Sequence, residues 1–342
     1  MRRIAVLVAV LLTLGTPAVS LSYAFALDRT QLGVIVNTWD PLSVEIGKYY
    51  AAQRGILFQN IIRVGFAPGR AVLPAQEFAA LKAWADGQAL PQIQAYALTW
   101  AVPYRVECMS ITSAFAFGFD AAFCAEDCRP TRPSAYFNSR VRLPFSQLGI
   151  RPTMAIAAAS LEQAKALIDR GLWSDGLRPE GTAYLLSTTD GARNVRSGSY
   201  ATIEGMLERH PRVRAKVLRE DALRDVKDVL FYFTGKVHVE GLETLGFVPG
   251  AIADHLTSFG GQLTGGGQMS ALAWLEAGAT GSYGTVVEPC NITQKFPHAP
   301  TVVASYLAGD TLIEAYWKSV AMPGQGIFIG EPLAAPFRRR GR

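Results

Sequence analysis

The stretch Pro249–Asn291 reads PGAIADHLTSFGGQLTGGGQMSALAWLEAGATGSYGTVVEPCN. An apolar run ends at Asp254-His255, and Ser258 follows three residues later. Next comes a glycine cluster, Gly260, Gly261, Gly265, Gly266 and Gly267. Gln268 to Ala277 then carries Met269, Leu272, Ala273 and Leu275 at helical spacing. Tyr283 to Val287 reads as a short buried strand that runs into Glu288-Pro289-Cys290. Strand, glycine-rich turn, helix and strand form one unit of an open α/β sheet. Ligands of such sheets bind just outside the carboxyl ends of the strands. The sequence therefore places a candidate site here, with Asp254, His255, Ser258 and Cys290 as reactive side chains and Gly260-Gly261 as a ligand cradle.

Working outward, the same alternation fills the chain. Gln31–Asn37 is a strand, and Asp40-Pro41 makes an N-cap and a first-turn proline. A helix follows to Arg54 with Gly55 as its stop, and 60–66 is a second strand. That βαβ unit implies parallel pairing. Further strands are expected at 94–100, 153–158, 182–187, 214–218, 228–234 and 326–329, and helices at 75–85, 160–170, 200–209, 301–307 and 311–319. The fold class is α/β, three layers with a mostly parallel sheet between helices. Residues 105–146 interrupt it as a loop-rich insertion. The expected organisation is a single domain over 27–342, or two lobes, 27–148 and 149–335, with a basic tail 336–342.

The chain has 342 residues and opens MRRIAVLVAVLLTLGTPAVSLSYAFA. Arg2-Arg3, the apolar Ile4–Leu14 and the small-residue pattern Ala24-Phe25-Ala26 together read as a signal peptide over 1–26. No later run is long enough to span a bilayer. An exported protein, periplasmic or extracellular, is expected, with no transmembrane segment after cleavage. The formal net charge of +5 falls to +3 without Arg2 and Arg3, and much of the excess is the terminal Arg338-Arg339-Arg340-Gly341-Arg342. A terminal basic run is ordinarily solvated, so no nucleic-acid partner is expected.

Export also bears on the four cysteines, Cys108, Cys124, Cys128 and Cys290, because an oxidising compartment favours disulfides. Cys124 and Cys128 lie close enough in the insertion to pair with each other, or one pairs with Cys108. Cys290 is then expected as the free thiol. No cofactor and no metal is expected: His238-x-Glu240 supplies only two potential ligands. Asn37 and Asp40 follow the first strand and face the sheet's carboxyl edge, which makes them candidate ligand-binding residues, although Asp40 has the simpler role of N-cap. His210 and His298 sit in turns beside prolines and read as surface residues.

Three segments carry a resemblance. VIVNTWDPLSVEIGKYYAAQRGILFQNIIRV (34–64), PGAIADHLTSFGG (249–261) and LAWLEAGATGSYGTVVEP (272–289) resemble a family of exported bacterial proteins that accompanies the exosortase, PEP-CTERM protein-sorting system. The likeness spans nearly the whole chain after the signal peptide. It implies an envelope-associated accessory role, with exported proteins or envelope polysaccharide as partners. More distantly, the final third is similar in order to gingipain-like peptidases of the caspase-like clan. In those enzymes one strand ends in His-Gly and the next in a nucleophilic Cys. Here Thr234 stands before Gly235, and the second strand ends in Thr257-Ser258-Phe259. The resemblance thus implies a caspase-like scaffold whose inherited dyad is lost. The alternative is an active cysteine peptidase with a relocated His255–Cys290 pair, or a serine enzyme using Ser258. A nucleotide-binding role for the glycine cluster lacks the strand–GxGxxG–helix context.

Overall fold

A computed structural model describes residues 26–125 and 128–338. The expected signal peptide, as far as Phe25, and the expected basic tail from Arg339 lie outside the described residues.

In chain order the strands are β1 (Leu32–Asn37), β2 (Ile61–Val64), β3 (Val72–Leu73), β4 (Ala95–Leu98), β5 (Arg105–Val106), β6 (Met109–Ser110), β7 (Thr153–Ala155), β8 (Gly181–Leu186), β9 (Val213–Leu218), β10 (Val229–Thr234), β11 (Phe247–His255), β12 (Gly281–Thr285) and β13 (Gly326–Gly330). The α-helices are α1 (Pro41–Arg54), α2 (Ala75–Gln88), α3 (Ile111–Phe117), α4 (Pro144–Leu148), α5 (Leu161–Ser174), α6 (Tyr200–Leu207), α7 (Leu272–Ala277), α8 (Ala299–Leu307) and α9 (Leu312–Ser319). The α/β class with a mostly parallel sheet is as the sequence predicts. One ten-stranded sheet runs β2-β1-β4-β7-β13-β12-β11-β10-β8-β9, and β3, ahead of α2, joins β5 and β6 of the insertion in a small separate sheet.

Every neighbouring pair in the large sheet is parallel except β12 with β13. The sheet is therefore two parallel blocks of opposite direction that meet at this seam. The carboxyl ends of β1, β2, β4 and β7 open on one edge, and those of β8 to β12 on the other.

Local chemistry explains the elements. Asp40 accepts a hydrogen bond from the Leu42 N–H at 3.0 Å, Pro41 opens α1, and Gly55 closes it at φ 60°. Strands β1, β8, β10, β12 and β13 are buried along their length, as strands covered on both faces must be. Helices α1 and α5 pack together over one face, with α7 against β11 and β12; α3, α8 and α9 cover the other. At the far end of the seam, the buried Arg54 donates to Glu331, just past β13, at 3.0 Å, and also pairs with Asp175 after α5. This ion cluster ties α1, α5 and β13 together where the blocks join.

Two elements of the opening stretch differ from expectation. The helix expected from Gln268 starts only at Leu272. Gln268 and Met269 are instead held by tertiary bonds: the Gln268 amide oxygen accepts from Thr257 Oγ1 and Phe259 N, and Met269 N donates to the Val237 carbonyl. The strand expected from Tyr283 begins at Gly281, because Gly281 faces Gly330 across the seam, where the two backbones approach closely.

Candidate functional site

The candidate crevice lies at the carboxyl ends of β10 and β11, where Thr234 and His255 are register partners. His255 is 1% exposed. Its Nδ1 accepts from Trp274 Nε1 at 2.9 Å, which leaves the hydrogen on Nε2, 3.1 Å from the Met269 carbonyl oxygen it bonds. Burial pushes its pKa down to about 3. Both nitrogens of a neutral ring are thus engaged by the protein itself, and neither is free to take a proton from a nucleophile.

Asp254 points to the opposite face, as alternation along a strand requires. It forms a buried ion pair with Arg196 at 2.5 Å, and burial pushes its carboxyl pKa up despite that partner. Arg196 Nη2 also donates to the Thr234 and Asp254 carbonyls, at 2.9 and 3.0 Å. One guanidinium therefore spans the ends of both strands. Alongside it, the Arg193 carbonyl lies so close over Gly235 that a Cβ there would run into it. Arg193 Nε donates to Thr257 Oγ1 at 3.1 Å, and that hydroxyl donates onward to Gln268 at 2.7 Å. The chain's own polar side chains occupy the crevice, Arg193 bonded to Thr257, Thr257 to Gln268 and Arg196 to Asp254, while the Thr234 hydroxyl and Arg196 Nε and Nη1 have no hydrogen-bond partner among the described residues.

Ser258 is half-buried and its carbonyl accepts from Thr285 Oγ1 at 2.8 Å. With the His255 nitrogens occupied, no Asp254–His255–Ser258 relay forms. Cys290 corrects an expectation: it is bonded to Cys128, and Cys108 pairs with Cys124. No free thiol remains among the described residues. The insertion reaches back across 162 residues to the loop after β12, a proximity that only the folded sheet creates. In this oxidised state Cys290 is not a nucleophile.

The remaining expected ligand residues are occupied structurally. Gly260 and Gly261 lie against Gly284, and a Cβ on Gly261 would sit 2.7 Å from the Gly284 carbonyl oxygen; they serve a backbone crossing rather than a cradle. Asp40 is spent on the α1 cap. Asn37 staples the ends of β1 and β2: its Nδ2 donates to the Phe66 carbonyl at 3.0 Å, and its Oδ1 accepts from Phe66 N and Trp39 N at 3.2 Å. Because the two blocks run in opposite directions, Asn37 and Asp40 open on the edge of the sheet opposite His255 and Ser258. The structure does not bring these two sets together.

What Asn37 positions was not expected. Trp39 is 64% exposed, and its indole lies across Gly65, where a Cβ would fall 2.8 Å from Nε1. Trp84 on α2 is 65% exposed and is fixed by a 3.0 Å bond from Nε1 to the Arg63 carbonyl. The two indoles line an open groove of about 550 Å³, with Thr38, Arg63 and Glu77 among its polar residues. Glu77 is paired with Arg70, and Arg63 lies over the Phe58 ring. The groove runs along edge strand β2. There the outward Arg63 N–H and C=O are already taken by the Gln88 side chain, at 3.2 and 2.9 Å. A signal for Trp84 existed in the sequence: Phe78, Leu81 and Ala85 form the buried stripe of α2, and position 84 lies off it.

No protein-family model matches the chain, and no curated protein matches it in sequence. Solved structures resemble its fold, two of them as follows. The complex of Porphyromonas gingivalis RgpB pro- and mature domains matches at TM-score 0.50 and 10% identity, over 89% of this chain and 79% of that one. A structure described as that of a protease matches at TM-score 0.49 and 10% identity, over 91% of this chain and 79% of its own. The gingipain likeness supports the caspase-like fold expected from the sequence, and at this identity it shows the fold alone. No helix among the described residues is long and apolar enough to cross a membrane.

Proposed function

We propose that this chain is an exported, envelope-associated accessory protein that uses a caspase-like scaffold to bind rather than to cleave. The role fits the exosortase-dependent sorting system that the sequence resembles. The observation that carries it is the contrast between the two sheet edges. The edge where a gingipain-like peptidase would hold its dyad is closed by Arg193, Arg196 and Gln268. The opposite edge presents two indoles about two-thirds exposed, Trp84 bonded to the Arg63 carbonyl and Trp39 lying against Gly65.

Large aromatics left in water and held in one orientation mark a binding surface. A peptide strand cannot add to β2 through Arg63, since Gln88 and Trp84 already satisfy that backbone. A polysaccharide fits better. The C–H faces of its pyranose rings stack on Trp39 and Trp84, while its hydroxyls reach Thr38, Arg63 and Glu77. Indoles immobilised beforehand lose little freedom on binding.

Native electrophoresis through gels cast with soluble polysaccharide tests this, using alginate as an acidic polymer and dextran as a neutral one. At least one of them should retard the protein, with apparent affinity falling at least tenfold in Trp39→Ala and Trp84→Ala and thermal stability unchanged. A stacking contribution of about 1.4 kcal/mol corresponds to that factor. Equal mobility of the variants and the parent chain in every gel sinks the polysaccharide reading.

A further inference from the structure

Leu27 is held at three points. Its side chain is 1% exposed, its carbonyl accepts from Arg338, and its nitrogen donates to Glu314 Oε2 at 3.1 Å. Glu314, on α9, is fully buried. Its Oε2 also takes the Thr311 N–H and hydroxyl of the helix capping box, at 3.0 and 2.7 Å. The other oxygen, Oε1, has no hydrogen-bond partner among the described residues. The nearest cations stand off, Arg142 Nη1 at 3.7 Å and Lys318 Nζ at 4.0 Å, both directed at Asp310. A buried carboxylate oxygen left without a donor is expensive. A peptide N–H at Leu27 has one hydrogen to give, and Oε2 receives it.

We propose that Leu27 is the N-terminal residue of the working protein and that its free α-ammonium docks on Glu314, supplying both carboxylate oxygens. Hydrolysis of the Ala26–Leu27 bond by a leader peptidase adds one water. The oxygen joins the Ala26 carbonyl carbon, which leaves as a carboxylate, and the Leu27 nitrogen gains hydrogens to become an ammonium. Ala24 and Ala26 supply the small residues such an enzyme requires before the cut. The ammonium then offers three donors where the amide offered one. Processing thus completes a buried site that the uncut chain leaves one donor short, and couples leader removal to the stability of α9.

The inference rests on the export reading, and two measurements separate its parts. Intact mass of the chain recovered outside the cytoplasm of an expressing bacterium should correspond to residues 27–342; a different start overturns the assignment of Leu27. Thermal melting then compares a chain beginning at Leu27 with one that retains Phe25 and Ala26, which keeps the amide but not the ammonium. The chain beginning at Leu27 should melt about 2–4 °C higher at pH 6.5, and Glu314→Gln should erase the difference. Equal melting of the two starts overturns the docking, and that comparison decides the matter even if Glu314→Gln fails to fold.

Discussion

At the scale of single residues, His255 shows how far a reactive side chain can be read without its neighbours. The sequence places it at a strand end beside a glycine-rich turn, and that placement is right. Its role depends on Trp274 and Met269, which donate to and accept from its ring and which no spacing rule singles out. A histidine buried neutral has a pH signature. Its folded pKa, about 3, lies below the unfolded value near 6.5, so the unfolded chain binds the extra proton between those limits. Stability is therefore fully present above about pH 6.5 and falls as pH drops toward 3, by up to about 1.4 kcal/mol per pH unit from this residue. Urea unfolding followed from pH 7 to 4 should show that slope, and His255→Phe should flatten it whatever its absolute stability. An unchanged slope in the variant would mean the ring titrates freely in the native protein. Asp254 acts in the opposite sense, since its carboxyl pKa is raised by burial.

Among the elements, periodicity and caps were legible and tertiary crossings were not. Asp40, Pro41 and Gly55 bound α1 as read, and the apolar runs of β1, β10 and β13 name themselves. The glycines after β11 were ambiguous, because flexibility, a ligand cradle and close backbone approach leave the same letters. Their partner, Gly284 on β12, decides among the three. The crossing predicts that Gly284→Ala, whose methyl would run into the Gly260–Gly261 backbone, costs about 1–3 kcal/mol by urea denaturation, the usual range for overpacking. Gly267→Ala, with open space around it, should leave the midpoint unchanged. Equal effects at the two positions would refute the crossing. The Trp39–Trp84 groove was missed for a related reason: one indole comes from a turn and the other from a helix, and only the staple made by Asn37 and the edge of β2 bring them together.

For the whole molecule, fold class was open to sequence reasoning because alternating strands and helices permit few arrangements. The reversal of direction at β12–β13 was not, since β13 comes from the end of the chain and inserts beside β7. That reversal separates Asn37 from His255. The Cys128–Cys290 bond likewise joins loops that no local pattern relates. Together these features leave a caspase-like fold in which the chain's own side chains occupy the carboxyl ends of β10 and β11. The most direct test is low-dose labelling of the native, oxidised chain with thiol-directed and serine-directed electrophiles, the modified residue being located by mass spectrometry. Ser258 and Cys290 should react no faster in the native protein than in the denatured chain. Fast labelling of either residue, lost in His255→Ala, would show an activated nucleophile there and overturn the binding-only reading in favour of a hydrolase.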